Sequence, residues 1–244
     1  MSGRPGTAGP APLRLGPIDR TRSAKPGGGT RRLIRLSAGD DRAFAGAVGR
    51  LAPWIERARG PNTFAHGIER IERGAIELTP WVAARDRWRR AVDEHRRYAG
   101  SVAVTDVRDC YASIGPVAVT TRLAALGAPR DAIDTVGAWL HAMQDDGVRG
   151  LPVGPCASAV LAEAVLTAGD LALDALGVRY ARWVDDVAIF CGDRRSAAAA
   201  LDALARTWAS LGLESHEGKT AILDPGSAAI RSSATSPSGA QPLR

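Results

Sequence analysis

A chain of 244 residues with 45% apolar side chains permits one large domain or two small ones and supplies ample material for a core. It shows no apolar run of membrane-spanning length and no apolar signal core behind the N-terminal Met-Ser-Gly-Arg, and its three cysteines (Cys110, Cys156, Cys191) form no CxxC pair; membrane spanning, secretion, a zinc site and a disulfide framework are set aside, and a cytoplasmic protein is expected. The net charge of +6 is uneven, with 20 basic against 10 acidic residues in 1–100 and 12 against 16 in 101–244, as a phosphate-gripping half joined to a metal-binding half would show.

Residues 1–24 are rich in Gly, Pro, Arg and Ser without periodicity and read as a disordered basic tail. Residues 25–36, Lys-Pro-Gly-Gly-Gly-Thr-Arg-Arg-Leu-Ile-Arg-Leu, combine a glycine turn with alternation, which predicts a hairpin; a bare linker is the alternative. Phe44, Val48, Leu51 and Ile55 recur at steps of three and four, predicting a helix over 40–59. Residues 83–98 form an Arg-rich helix near Trp81 and Trp88, better read as packed by its tryptophans than as a nucleic-acid grip. His66 is assigned a structural role.

The run 101–107 is a short apolar strand ending in Asp106, with Tyr111 five residues on. Helices follow over 116–126 and 132–143, then a loop over 144–150, then a long helix within 153–176 interrupted at Gly169. Two β-favouring runs, 178–183 and 187–191, flank Asp185 and Asp186 and read as a hairpin tipped with two carboxylates. Adjacent acids fit a solvated turn, or a divalent-metal site if a third carboxylate joins them; Asp106 supplies it. A helix over 196–211 and a short strand pair over 212–223 complete a β, α, β, β, α, β order, that of a split βαβ unit. From Asp224 the composition predicts disorder. Of 32 basic residues only Lys25 and Lys219 are lysines; lysine can donate a proton where guanidinium cannot.

Asp106 with Tyr111, Gly150-Leu151-Pro152-Val153-Gly154, Trp183-Val184-Asp185-Asp186 and Gly218-Lys219-Thr220, in that order, resemble the palm motifs of reverse transcriptases, nearest to the bacterial enzymes of group II introns, retrons and abortive-infection or phage-defence systems. Lys-Pro-Gly-Gly-Gly-Thr-Arg at 25–31 is similar to the fingers hairpin of the group II intron enzymes. The resemblance implies an α+β right-hand polymerase fold: a tail (1–24), a small fingers region (25–100), a palm (101–223) and a C-terminal tail (224–244), with the thumb absent or minimal. It implies an RNA template, a DNA or protein primer, dNTPs and two Mg²⁺ ions, with Mn²⁺ possible, and a protein partner or oligomer as one source of the missing thumb.

By the same resemblance Asp106 and Asp185 are the main metal ligands, Asp186 an accessory one, and the Val107 carbonyl a further oxygen. Lys25 and Arg31, with Arg32 as the alternative, would fold over the triphosphate. Tyr111 would be the steric gate against a 2′-hydroxyl, Gly150–Gly154 the turn that template and nucleotide approach, and Lys219 the general acid for pyrophosphate. Each has a plainer reading: a core aromatic for Tyr111, an exposed turn lysine for Lys219, solvent exposure for Asp109. Val153, Pro155 and Trp183-Val184 depart from the commoner Gln, Ser and Tyr-Ala, and Leu-Pro-Val-Gly-Pro is closer to the abortive-infection branch. A non-catalytic nucleic-acid-binding protein of polymerase shape and a nucleotide cyclase are the other classes; the three retained acids oppose the first and the fingers-like motif the second.

Overall fold

The computed structural model describes residues 13–24 and 29–232. Two hairpins and three helices form the N-terminal, fingers-like part. Strands β1 (Asp19–Ala24) and β2 (Thr30–Arg35) pair antiparallel. Helices α1 (Ala38–Gly49) and α2 (Ala52–Ala58) follow, then strands β3 (Ile68–Glu72) and β4 (Ala75–Leu78), then helix α3 (Trp81–His95). The hairpin expected over 25–36 therefore begins earlier: Asp19–Ala24, placed in the tail by composition, is its first strand, because Thr21 and Ser23 have partners in Leu33 and Arg31 across the sheet. The helix expected over 40–59 breaks after Gly49; Pro53 in the first turn of α2 has no N–H to continue a ladder. Phe44, Val48, Leu51 and Ile55 are all fully buried, so the periodicity persists across the break.

The palm-like part starts at β5 (Ser101–Thr105). It continues through α4 (Cys110–Ser113), α5 (Pro116–Ala125), α6 (Arg130–Asp145) and α7 (Cys156–Ala175) to the hairpin β6 (Arg179–Trp183) and β7 (Asp186–Cys191). Helix α8 (Arg194–Ser210), strand β8 (Ala221–Leu223) and one turn of helix, α9 (Ala229–Ser232), complete it. The four strands lie in the order β6-β7-β5-β8, all neighbours antiparallel, which is the sheet of a split βαβ unit. The fold is α+β, as a polymerase palm with fingers requires.

Strands β5 and β7 are buried along their whole length; α8 packs against both, and His95 of α3 meets Phe190 of β7. Alternation along β6 sends Arg182 toward α7 and Trp183 toward α3. Contrary to the expectation that no apolar run reaches membrane-spanning length, helix α7 has the length and apolarity of a membrane span, but 78% of its apolar window lies inside the fold and it serves as the central core helix. It runs unbroken through Gly169, where a Cβ would come within 2.6 Å of Leu204 and 3.0 Å of Trp208; the glycine lets α8 close on α7. No strand pair forms within 212–223. Both arms pair with the β5 segment instead, Glu214 and His216 with Arg108 and Asp106, and Ala221–Leu223 with Val102–Val104. Beyond Asp224, expected to be disordered, Ile230 is fully buried. Residues 1–12 of the expected basic tail and 233–244 of the expected C-terminal tail lie outside the described residues.

Candidate active site

Strand β5 pairs with β7 so that Ser101 faces Cys191 and Thr105 faces Val187. Continued by one residue, that register sets Asp106 opposite Asp186. The β6–β7 turn is Val184-Asp185, closed by the Trp183–Asp186 pair. The three acids expected to meet therefore stand together at one end of the sheet, and all are buried: Asp106 is 2% exposed, Asp185 and Asp186 7%. Burial, reinforced by the charges of Asp186 and Asp106, lifts the Asp185 carboxyl well above the ordinary carboxylate range. Val184 holds φ +54°, a left-handed conformation that a β-branched side chain rarely takes.

Lys219 ends a 3-10 turn (Glu217–Lys219) that brings its amine onto Asp106 Oδ2 in an ion pair, with the side chain half exposed. Burial pulls its proton affinity down, but the hydrogen bond and charge of Asp106 outweigh that and raise it, with Asp186 and Asp185 adding. The backbone of Asp106 is fixed from the same side by His216 N–H at 2.9 Å, and Thr105 Oγ1 meets Thr220 Oγ1 at 2.8 Å. Val107 forms a bridge to Ser215. Asp109 is exposed and left-handed, as its solvent reading requires.

Two buried arginines flank the turn, and neither was singled out from the sequence. Arg182 is 1% exposed and makes a two-pronged pair with Asp170 at 2.8 and 2.7 Å. It also donates to Glu163 at 3.2 and 3.0 Å and to the Val184 carbonyl at 2.7 Å. Arg59 Nε stands 3.3 Å from Glu163, and Thr63 Oγ1 donates to Asp170 at 3.1 Å. Burial would push the Glu163 carboxyl up, but Arg182 and Arg59 override it and hold it below its ordinary value. Burial lowers His66, which lies against this group, to about 4 and keeps it neutral. On the opposite face Arg85 sits among three indoles, 5.3 Å from the Trp81 and Trp88 rings and 5.0 Å from that of Trp183. Burial lowers its proton affinity, and the charge of Asp186 supports its cation. The signal for Arg182 was present as an arginine inside an otherwise β-favouring run; its partners carried none.

Tyr111 follows the acid strand in α4, is 8% exposed, and its hydroxyl has no hydrogen-bond partner among the described residues. Burial raises its phenol well above the usual value, with nearby charges, Asp185 among them, adding, so the ring is neutral. Leu151 N–H donates to the Tyr111 carbonyl at 2.7 Å. At Gly150 a Cβ would meet the Tyr111 carbonyl at 2.3 Å, and at Gly154 the Ile34 carbonyl at 2.4 Å. Both glycines thus admit the protein's own backbone, and Gly154 is where β2 docks, through Ile34 N–H to Val153 O at 2.8 Å. On the fingers hairpin Arg32 is exposed and directly opposite Arg22; Arg31 faces Ser23. Lys25 lies outside the described residues.

Among the described residues no three His, Cys, Asp or Glu side chains already form a closed ligand cluster. The donor set nevertheless fits a hard divalent cation: Asp106 Oδ1 is buried without a partner, and three carboxylates repel one another across the sheet end. Mg²⁺ takes one or two protein carboxylates and completes its shell with water and phosphate oxygens, so a closed protein cage is not needed.

A split βαβ sheet with acids gathered from a strand end and a hairpin turn, a lysine at their side and a basic hairpin docked nearby defines a nucleotidyl-transferring polymerase of the palm type. Residues 24–231 match the family described as reverse transcriptase (RNA-dependent DNA polymerase). The chain belongs to this family of nucleotidyltransferases, whose substrates are a nucleic-acid template and primer and dNTPs. No curated protein matches it.

Proposed function

We propose that the protein extends a DNA or protein primer on an RNA template, with Asp106 and Asp185 as the main ligands of two divalent ions and Asp186 and the Val107 carbonyl in support. The observation that carries this reading is the meeting of Asp106, Asp185 and Asp186 at one buried sheet end with Lys219 on Asp106. Divalent ions bound there would lower the pKa of the primer hydroxyl and neutralise charge on the triphosphate. Lys219, its proton affinity raised by Asp106, would protonate the departing pyrophosphate or stabilise its charge. The Tyr111 ring beside Asp185 would exclude a 2′-hydroxyl, the group that separates ribo- from deoxynucleotides.

Arg22 and Arg32 stand directly opposite each other, a like-charge pair that costs stability unless an anion lies between them; with Arg31 and Lys25 they would grip the triphosphate. Gly154 serves that grip by letting β2 dock on the palm. The likeness of 151–155 to the abortive-infection branch supports a role in phage defence, and the three free thiols suit the reducing cytoplasm.

Primer extension on an RNA template with Mg²⁺ or Mn²⁺ tests the reading. Incorporation by the wild type and none by the Asp185→Ala, Asp186→Ala double variant is expected; equal incorporation by both overturns it. Tyr111→Ala should lose the preference for dNTP over NTP.

A further inference from the structure

Asp185 owes its place to a two-residue turn whose first member, Val184, sits in a conformation the residue disfavours. Such a turn persists only where its surroundings over-determine it. Arg182 reaches the turn backbone with its side chain, Nη1 donating to the Val184 carbonyl at 2.7 Å. The guanidinium making it cannot drift. Asp170 holds Nε and Nη2, and Glu163 holds Nη1 and Nη2. Glu163 and Asp170 are two turns apart on one face of α7, so the helix presents both carboxylates to the same cation. The outer side is closed by the 62–64 segment, which pairs with Arg182 through its backbone on both sides and adds Thr63 Oγ1 on Asp170.

We infer that Arg182 is the positioning residue of the catalytic turn: a rigid fork, anchored on Asp170 and Glu163 of the core helix, that clamps the Val184 carbonyl and so fixes where the Asp185 carboxylate points. The inference rests on the polymerase reading for its catalytic consequence, but its structural content is independent of it. A planar guanidinium can span two carboxylates and a carbonyl at once; an ammonium in the same space is a point charge that cannot keep that fork geometry. The distinction separates clamping from mere charge neutralisation, since lysine preserves the charge.

The test is Arg182→Lys in the full chain, read in two ways. Amide hydrogen exchange of the metal-free protein should show residues 184–187 exchanging at least about tenfold faster than in the wild type while β5 stays protected, because opening of the turn no longer requires global unfolding. In primer extension, kcat per folded molecule should fall about 10²-fold with the KM for dNTP unchanged within about twofold, as expected of a misplaced reacting group. A second arm uses Val184→Gly, which adopts positive φ without strain. If the clamp acts through that strain, the kcat loss caused by Arg182→Lys is smaller in the glycine background; a purely structural arginine gives additive losses. Unchanged turn exchange, unchanged kcat, or additivity overturns the inference. A silent wild type whose Arg182→Lys variant still shows the accelerated turn exchange overturns the polymerase reading and leaves the clamp supported.

Discussion

The palm turn and the fingers hairpin are both two-stranded and both charged, yet they are held in opposite ways. At the palm turn the acids and the strands that carry them are buried; Arg182 ties the turn backbone to α7, and Lys219 ties Asp106 to the 214–223 segment. On the fingers hairpin most residues of β1 and β2 are exposed, and two arginines face each other across the ladder. Catalytic ligands must be fixed before substrate arrives, which calls for burial and redundancy. A phosphate grip can stay solvated, because the anion itself completes its contacts. The first kind of site is costly to desolvate and sensitive to any lost partner; the second is tolerant until substrate is present.

Four measurements break or sharpen that contrast. Asp185→Asn should lower nucleotide incorporation by roughly 10³-fold, the several kcal/mol that a lost metal ligand removes, with the circular-dichroism spectrum unchanged. Arg182→Ala should cost about 3–5 kcal/mol in urea denaturation, since it takes the paired guanidinium from buried Asp170 and leaves buried Glu163 with Arg59 alone, whereas Arg70→Ala, which removes the exposed Arg70–Glu77 pair of the fingers, should leave the midpoint unmoved.

His66 supplies a pH arm on the palm side. Its proton affinity drops from 6.5 in the open chain to about 4 when folded, so between those values the unfolded state holds more protons. Its contribution is complete above pH 6.5 and is lost as pH falls toward 4, roughly 3 kcal/mol in all by linkage. Urea midpoints of wild type should fall through that window more steeply than those of His66→Asn, a neutral residue that also accepts the left-handed backbone found there. The smallest effect belongs to the fingers: Arg32→Ala should raise the KM for dNTP about tenfold, the worth of a charge-assisted contact, while the urea midpoint rises slightly as the repulsion from Arg22 is relieved.

Much of this was legible along the chain. Asp106 at the end of an apolar strand, the two acids between β-favouring runs, and the apolar faces of α1, α2 and α8 follow from local composition and period. The hairpin β3–β4 was not seen, because its first strand, Ile68–Glu72, is largely exposed and carries no buried alternation. The arms of 212–223 were paired with each other on the strength of an intervening Gly-Lys-Thr, whereas both find partners on β5 and the residues after it. Nothing in the Arg-rich pattern of 83–98 sets Arg85 apart from its neighbours; it lies inside because Trp183, from a strand nearly a hundred residues away, completes its aromatic surround.

The sequence by itself settled which residues carry charge, where strands and helices begin to be favoured, and that three acids occur where strands end, because propensity and periodicity are local properties. Only the tertiary structure decided that Arg182 would answer to Asp170 and Glu163, that Lys219 would close on Asp106, and that Gly154 would admit β2. A charge removed from water must find its partner wherever the fold brings one, and no spacing along the chain specifies that choice.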